Sequence, residues 1–220
     1  LVTLAVFLIG IWSLTFYANR TLREDMQQQF GEQQFSSVSV VAAQINADLD
    51  ERLKALERIA AEISPNLIGN AANLQTFLEQ RPILQLMFNA GIHATRLDGI
   101  AIAAVPFSSE RVGTSYADRD YMSSAVKEGK STIGRPVIGK ILHAPAIGMA
   151  VPIRDGKGQV IGALVGAVNL GMPNFLDKVT ETRFSKGGAY LIIARQHQLI
   201  VTATDKSRIM QPAPRPGVNK

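Results

Sequence analysis

From Thr21 to Ser64 the chain carries no proline and a single glycine, Gly31. Within it, apolar residues recur at Val38, Ala42, Ile45, Leu49, Leu53, Leu56, Ala60 and Ile63, in steps of three and four. Those steps draw one stripe down an α-helix, and no strand pattern reproduces them. Gln44, Asp48, Glu51, Lys54 and Glu57 occupy the other side, and Asp50 lies one turn before Lys54 as a favourable pair. A long amphipathic helix is therefore predicted, its stripe buried against a domain or against a second copy of itself. Ser64-Pro65 stops it, because the residue before a proline is pushed out of the α region.

Upstream, Leu1 to Ala18 holds no charged residue and has about the length needed to cross a bilayer core. Trp12 and Tyr17 suit an interfacial belt. A cleaved signal peptide fits less well, since "TFYANR" lacks a small-residue cleavage site, and a buried core helix would show a polar face. A transmembrane helix is expected over residues 1–19. The first residue is Leu, so the span is expected to begin further upstream. Arg20 and Arg23 follow it, with Glu24 and Asp25 beside them, and this charge pattern leaves the side of the membrane open.

Composition removes several function classes. Apolar residues at 46% and charged residues at 19% describe a folded chain. The net charge of +5 is spread over single lysines and arginines, without the clustered charge and interleaved aromatics of a nucleic-acid patch. No cysteine is present, which excludes disulfides, thiolate catalysis and cysteine-ligated metal. His93, His143 and His197 are scattered without the i,i+4 pairing of a metal site and read as strand or loop residues. Ser123-Ser124 has no nearby histidine to activate it. "GKGQVIG" has the wrong glycine spacing for a dinucleotide loop and opens no helix. No catalytic residue, metal site or cofactor is expected, and no enzyme within this stretch.

After Pro65 two short helices are predicted, at Asn73 to Gln80 and Pro82 to Asn89. From Gly91 the texture becomes extended. "GIHATRLDGIAIAAVP" reads as strand, Asp98-Gly99 turn, strand. A helix ending near Gly129 follows. Two long strands then flank the Asp155-Gly156-Lys157-Gly158 turn, and the second, Gln159 to Leu170, is apolar almost throughout and so belongs in the middle of a sheet. Met172 to Thr180 reads as a helix with Pro173 in its first turn. "GGAYLIIARQHQLIVTAT" repeats the strand, polar turn, strand design, so a second unit is expected to open near Gly187. "QPAPRPGVNK" reads as a proline-rich loop.

The words "DRDYMSSAVKEGKSTIGRPVIG" and "GMAVPIRDGKGQVIGALVGAVNL", set after a long emergent helix, resemble the double Cache sensor domain. That family's usual form is D-R-D-Y-F, a P-I strand, a D-x-x-G hairpin and a G-V-L-x-G strand. The resemblance implies an α+β fold with a five-stranded, PAS-like antiparallel sheet. Its organisation would be a transmembrane helix over 1–19, a signalling and dimerisation helix over 20–64, a membrane-distal Cache lobe over 65–183, and the start of a membrane-proximal lobe over 184–220. It further implies a bacterial inner-membrane protein with the residues after about 19 in the periplasm, acting as a homodimer. Arg81-Pro82 and "TATDKSRIMQP" resemble sensors attached to diguanylate cyclase or phosphodiesterase outputs, which makes control of cyclic-di-GMP the expected output. A histidine kinase or a chemoreceptor is the alternative. An anchored dimerisation module with no ligand is the alternative of another class.

Family members bind small metabolites in the distal lobe, beside the helix that carries the D-R-D-Y word. Here that word lies in "GTSYADRDYMSSAVKEGK", which gathers Tyr116, Asp118, Arg119, Asp120 and Tyr121. Arg119 could hold a carboxylate through its planar fork. Tyr116 and Tyr121 could wall a pocket, and Asp118 or Asp120 could accept from an amine. Equally, Asp118 could cap the helix while Arg119 and Asp120 face water, and Tyr121, Met122, Ala125 and Val126 form its buried stripe. Amine-binding relatives tend to carry an aspartate where this chain has Asn169. A neutral amide cannot neutralise an ammonium, so the expected ligand is a carboxylate.

Overall fold

The computed structural model describes the backbone of residues 2–178 and 190–214, and their side chains except at 2–9, 11, 23–25, 27, 28, 30, 31, 33 and 34. The chain divides into two compact units, residues 1–46 and 47–220. The first is helical throughout its described length, as part of helix α1 (Val2–Glu62). Trp12, Leu14, Phe16, Tyr17, Phe35, Val38 and Val40 are exposed along it. Among the described residues no helix is long and apolar enough to cross a membrane. Much of the segment in which a span is expected lies outside the described side chains.

In the second unit the end of α1 and the residue after it bury Leu56, Ala60 and Ile63, three members of the predicted stripe. Ser64 then caps α2 (Pro65–Ile68) through its side chain, with Pro65 in the first turn, where its missing N–H costs nothing. Asn70 caps α3 (Ala71–Glu79) in the same way, and α4 (Pro82–Met87) again begins on a proline.

The sheet contains β1 (Ile92–Arg96), β2 (Ala101–Val105), β3 (Thr132–Ile133), β4 (Val137–Ile138), β5 (Pro145–Arg154) and β6 (Val160–Asn169). Its order is β2-β1-β6-β5-β3, every described pairing is antiparallel, and β4 pairs with β5 as well. Six strands therefore replace the expected five. The two extra pieces are too short and too interrupted by Gly134 and Pro136 for a period-two pattern to show. The apolar β6 sits between β1 and β5, as its composition requires. The edge strand β2 is covered by a side chain: Gln75 of α3 donates to the Ala104 carbonyl at 2.8 Å and accepts from the Ala104 amide at 2.9 Å. A single amide thus stands in for one residue of a missing neighbour strand.

The two faces differ in side-chain size. One carries Ile92, Ala94, Leu164, Met149 and Val151, all fully buried. There Gly166 leaves room for the Phe88 ring, which would lie 2.5 Å from an added Cβ. The opposite face carries His93, Val165 and Ala150 in one cross-strand row, and Ala167 with Gly148 in the next. Helix α5 (Asp120–Lys127) packs over this small-residue face with Tyr121, Met122 and Ala125, and Val126 lies partly buried beside them.

The helix expected at Met172 to Thr180 begins later. Asn174 and Asp177 form a reciprocal cap around one 3-10 turn, Phe175–Asp177, so Pro173 lies before the turn; residues 179–189 lie outside those described. Arg52 of α1 donates to the Met87 carbonyl and stacks 3.7 Å over the Phe175 ring, fixing this segment to α1. Beyond it, β7 (Leu191–Ala194) and β8 (Leu199–Ala203) form the expected second hairpin. Lys206, past β8, donates to the Asp177 carboxylate at 2.8 Å and so ties that hairpin to the segment after β6.

Candidate functional site

The small-residue face leaves a cavity where α5 does not reach the sheet. Ala90, Ala146, Gly148 and Ala167 form its floor, and His93, Arg111, Tyr116, Arg119, Tyr121 and Lys140 supply its polar and aromatic walls. The space open to the centre of a water-sized sphere is about 50 Å³. On that measure a water needs about 10–15 Å³, so the cavity suits a molecule of few heavy atoms.

Tyr121 occupies its place because Gly134 and Gly148 lack side chains; a Cβ on either would overlap its ring. Burial raises the Tyr121 hydroxyl above the usual phenol range, and does the same to Tyr116. The Tyr116 ring lies 4.4 Å from the imidazole of His93. His93 is only 3% exposed, and neither ring nitrogen has a hydrogen-bond partner among the described residues. Burial, reinforced by the charge of Arg111, lowers its pKa to about 3, so the ring is neutral at physiological pH. Arg111 reaches in from the loop between β2 and α5, and its Nε and Nη1 are buried without a partner among the described residues.

Arg119 faces the cavity and not water. Its side chain is 15% exposed and its Nη2 donates to the Ile138 carbonyl at 3.1 Å. It also occupies the N-cap position of α5 without capping it, so the cap expected of Asp118 is not made. Asp118 points outward instead, where Lys140 donates to it at 2.6 Å. That hydrogen bond holds the Asp118 carboxyl below the usual carboxylate range. Lys140 also donates to the Ser115 carbonyl, so it straps the turn 139–144 across the cavity. Asp120, expected to face water, accepts from the amides of Tyr121 and Arg135 and fixes the chain entering β4. Neither aspartate lines the cavity.

Asn169 does not line it either. Its Oδ1 accepts from the Gly171 amide at 2.9 Å, and Asn89 pairs with its backbone on both sides. Of the six residues expected at a ligand site, Tyr116, Arg119 and Tyr121 come together, while Asp118, Asp120 and Asn169 hold backbone or a lysine. Sequence reasoning missed His93, Arg111 and Lys140. His93 carried a readable signal, a polar ring between Ile92 and Ala94 within an apolar strand. The other two sit in loops with no periodicity to read. Among the described residues no group of acids and histidines could hold a metal ion.

The Cache domain family model dCache_1 matches residues 22–216. The chain belongs to the Cache domain family. Cache domains bind ligands and are not enzymes, which agrees with the lack of catalytic motifs in this stretch. No curated protein matches the chain. Among solved structures, it resembles the ligand-binding domain of the Pseudomonas fluorescens chemoreceptor CtaA, in complex with L-serine. That likeness has a TM-score of 0.64 and 24% identity over 79% of this chain and 72% of that one. The ligand-binding domain of the Pseudomonas aeruginosa amino acid chemoreceptor PctB, with L-Gln, gives 0.61 and 23% over 79% and 68%. That of the Pseudomonas aeruginosa amino acid chemoreceptor PctC, with GABA, gives 0.62 and 19% over 80% of each. At these identities the likeness establishes the fold.

Proposed function

We propose that this Cache unit is the extracytoplasmic sensor of a membrane receptor and takes a small carboxylate into the cavity beneath α5. The observation that carries the reading is the lining itself: Arg119 and the two tyrosines converge on a cavity that, among the described residues, no acid lines. Exposed Trp12, Leu14, Phe16 and Tyr17 support a membrane anchor in the inner membrane, with the sensor on the periplasmic side. Exposed Phe35, Val38 and Val40 support pairing with a second copy. The output is the finer question. The words around "TATDKSRIMQP" favour a cyclic-di-GMP enzyme, and the structural neighbours favour a chemoreceptor.

The neighbours' amino acids give a second reading for the ligand. It is disfavoured because an ammonium would meet no carboxylate in the lining, and Asp118 is already engaged by Lys140. The test is thermal unfolding of the whole chain in detergent against acetate, lactate, malonate, succinate, L-serine, L-glutamine and GABA. A ligand at a hundred times its Kd adds about 2.7 kcal/mol, so a carboxylate should raise the melting temperature by several degrees. Arg119→Ala should remove that rise with the fold intact. A panel in which no carboxylate shifts the melt, or a shift that survives Arg119→Ala, refutes the reading.

A further inference from the structure

The charge inside the cavity is not balanced by the protein. Among the described residues three cationic side chains line it, Arg111, Arg119 and Lys140, and no carboxylate does. One acid stands just outside: Asp118, with one oxygen 2.6 Å from Lys140 Nζ and the other 4.0 Å from Arg119 Nε. It offsets one of the three positive charges and leaves two. The Arg119 side chain makes one described hydrogen bond, to the neutral Ile138 carbonyl, and the half-buried Arg111 keeps Nε and Nη1 buried with no acceptor among the described residues. Buried N–H donors without acceptors are costly, and proteins tolerate them where a ligand completes them.

We infer that the cavity is built for a doubly anionic ligand, a short dicarboxylate with one end on Arg111 and the other on Arg119. This rests on the carboxylate reading above and narrows it. Its further supports are His93 and the small floor. His93 presents two buried, unpartnered ring nitrogens beside Arg111, and as a neutral imidazole it can donate one N–H to the carboxylate oxygen that Arg111 holds. Ala90, Ala146, Gly148 and Ala167 leave space for a short spacer and offer it no hydrogen bond from a side chain. Arg111 is thereby the residue that separates dicarboxylates from monocarboxylates, and Arg119 serves both.

Isothermal titration of the whole chain in detergent tests this with malonate and succinate against acetate, propionate and L-serine. Either dicarboxylate should bind at least tenfold more tightly than the monocarboxylates, the scale of one charge-assisted hydrogen-bonded end. Arg111→Gln should erase that advantage by lowering dicarboxylate affinity at least tenfold more than monocarboxylate affinity, and Arg111→Lys should retain part of it. The ligand-free melting temperature of Arg111→Gln should hold or rise, because the substitution removes two buried N–H donors that have no acceptor among the described residues. Equal affinity for mono- and dicarboxylates overturns the inference and leaves the carboxylate reading standing. An equal loss of both on Arg111→Gln does the same, whereas tighter binding of L-serine overturns this inference and the carboxylate reading together. If no carboxylate binds the wild-type chain, the broader reading fails first and this one falls with it.

Discussion

The buried imidazole of His93 makes a quantitative demand on the stability of this domain. Its pKa lies near 3 in the folded chain against 6.5 when unfolded, chiefly through burial and secondarily through Arg111. Between those values the unfolded chain binds a proton that the folded chain refuses. Stability is therefore greatest above pH 6.5 and falls as the pH drops, with a slope approaching about 1.4 kcal/mol per pH unit. Integrated from pH 7 to pH 5, this one ring removes about 2 kcal/mol, a large part of the ordinary 5–15 kcal/mol of a folded domain. Asp98, Asp118 and Asp205 have depressed carboxyls, so their contributions hold above 3.8 and are lost only below it, outside this window. The measurement is urea unfolding followed by far-UV circular dichroism at pH 7 and pH 5, for the wild-type chain and for His93→Gln. The wild type should lose about 2 kcal/mol more than the variant over that interval. Equal losses in the two chains would show that the ring is hydrated or partnered in solution, and the account of the cavity wall would be wrong.

Two further perturbations probe the same site from its floor and its mouth. Gly148→Ala sets a methyl group into the Tyr121 ring; overpacking of this kind costs about 1–3 kcal/mol and should also abolish any carboxylate-induced shift of the melt. Unchanged stability would mean that the ring has room to move aside. Lys140→Met removes the strap on Asp118; because the pair is largely exposed, stability should change by less than about 1 kcal/mol. Titrated by carboxyl NMR, Asp118 should then move up toward its ordinary value, and an unmoved titration would mean the pair does not persist in solution.

What could be read from the residues divides along physical lines. The stripe ending in Leu56, Ala60 and Ile63, the Ser64-Pro65 stop, the two hairpins of the first sheet and the central place of β6 follow from periodicity and turn chemistry, which act over a few neighbouring residues. The stripe was legible along its whole length, yet Val38 at its upper end is exposed, since periodicity shows which face is apolar and not what covers it. Within the cluster at 116–121, sequence could not choose between cap and cavity. The choice depended on Lys140, distant in sequence, which draws Asp118 outward and leaves the N-cap position to Arg119. Arg111 was invisible for the same reason: a lone arginine in a polar loop looks solvated until the fold encloses it. Asn169 shows the converse failure, where likeness to a family position suggested a ligand contact and the side chain serves the Gly171 amide.

The alternation along β6 has a consequence for how such a domain can diversify. Ala167 lines the cavity, and its neighbour Gly166 gives way to Phe88 on the opposite face. Position 167 can thus be exchanged to reshape the cavity, while position 166 is held to the bulk of Phe88 behind. The cavity can change by one residue without redrawing the scaffold. By the same geometry, a guest pressing on Ala167 has only the thickness of one strand between it and Phe88.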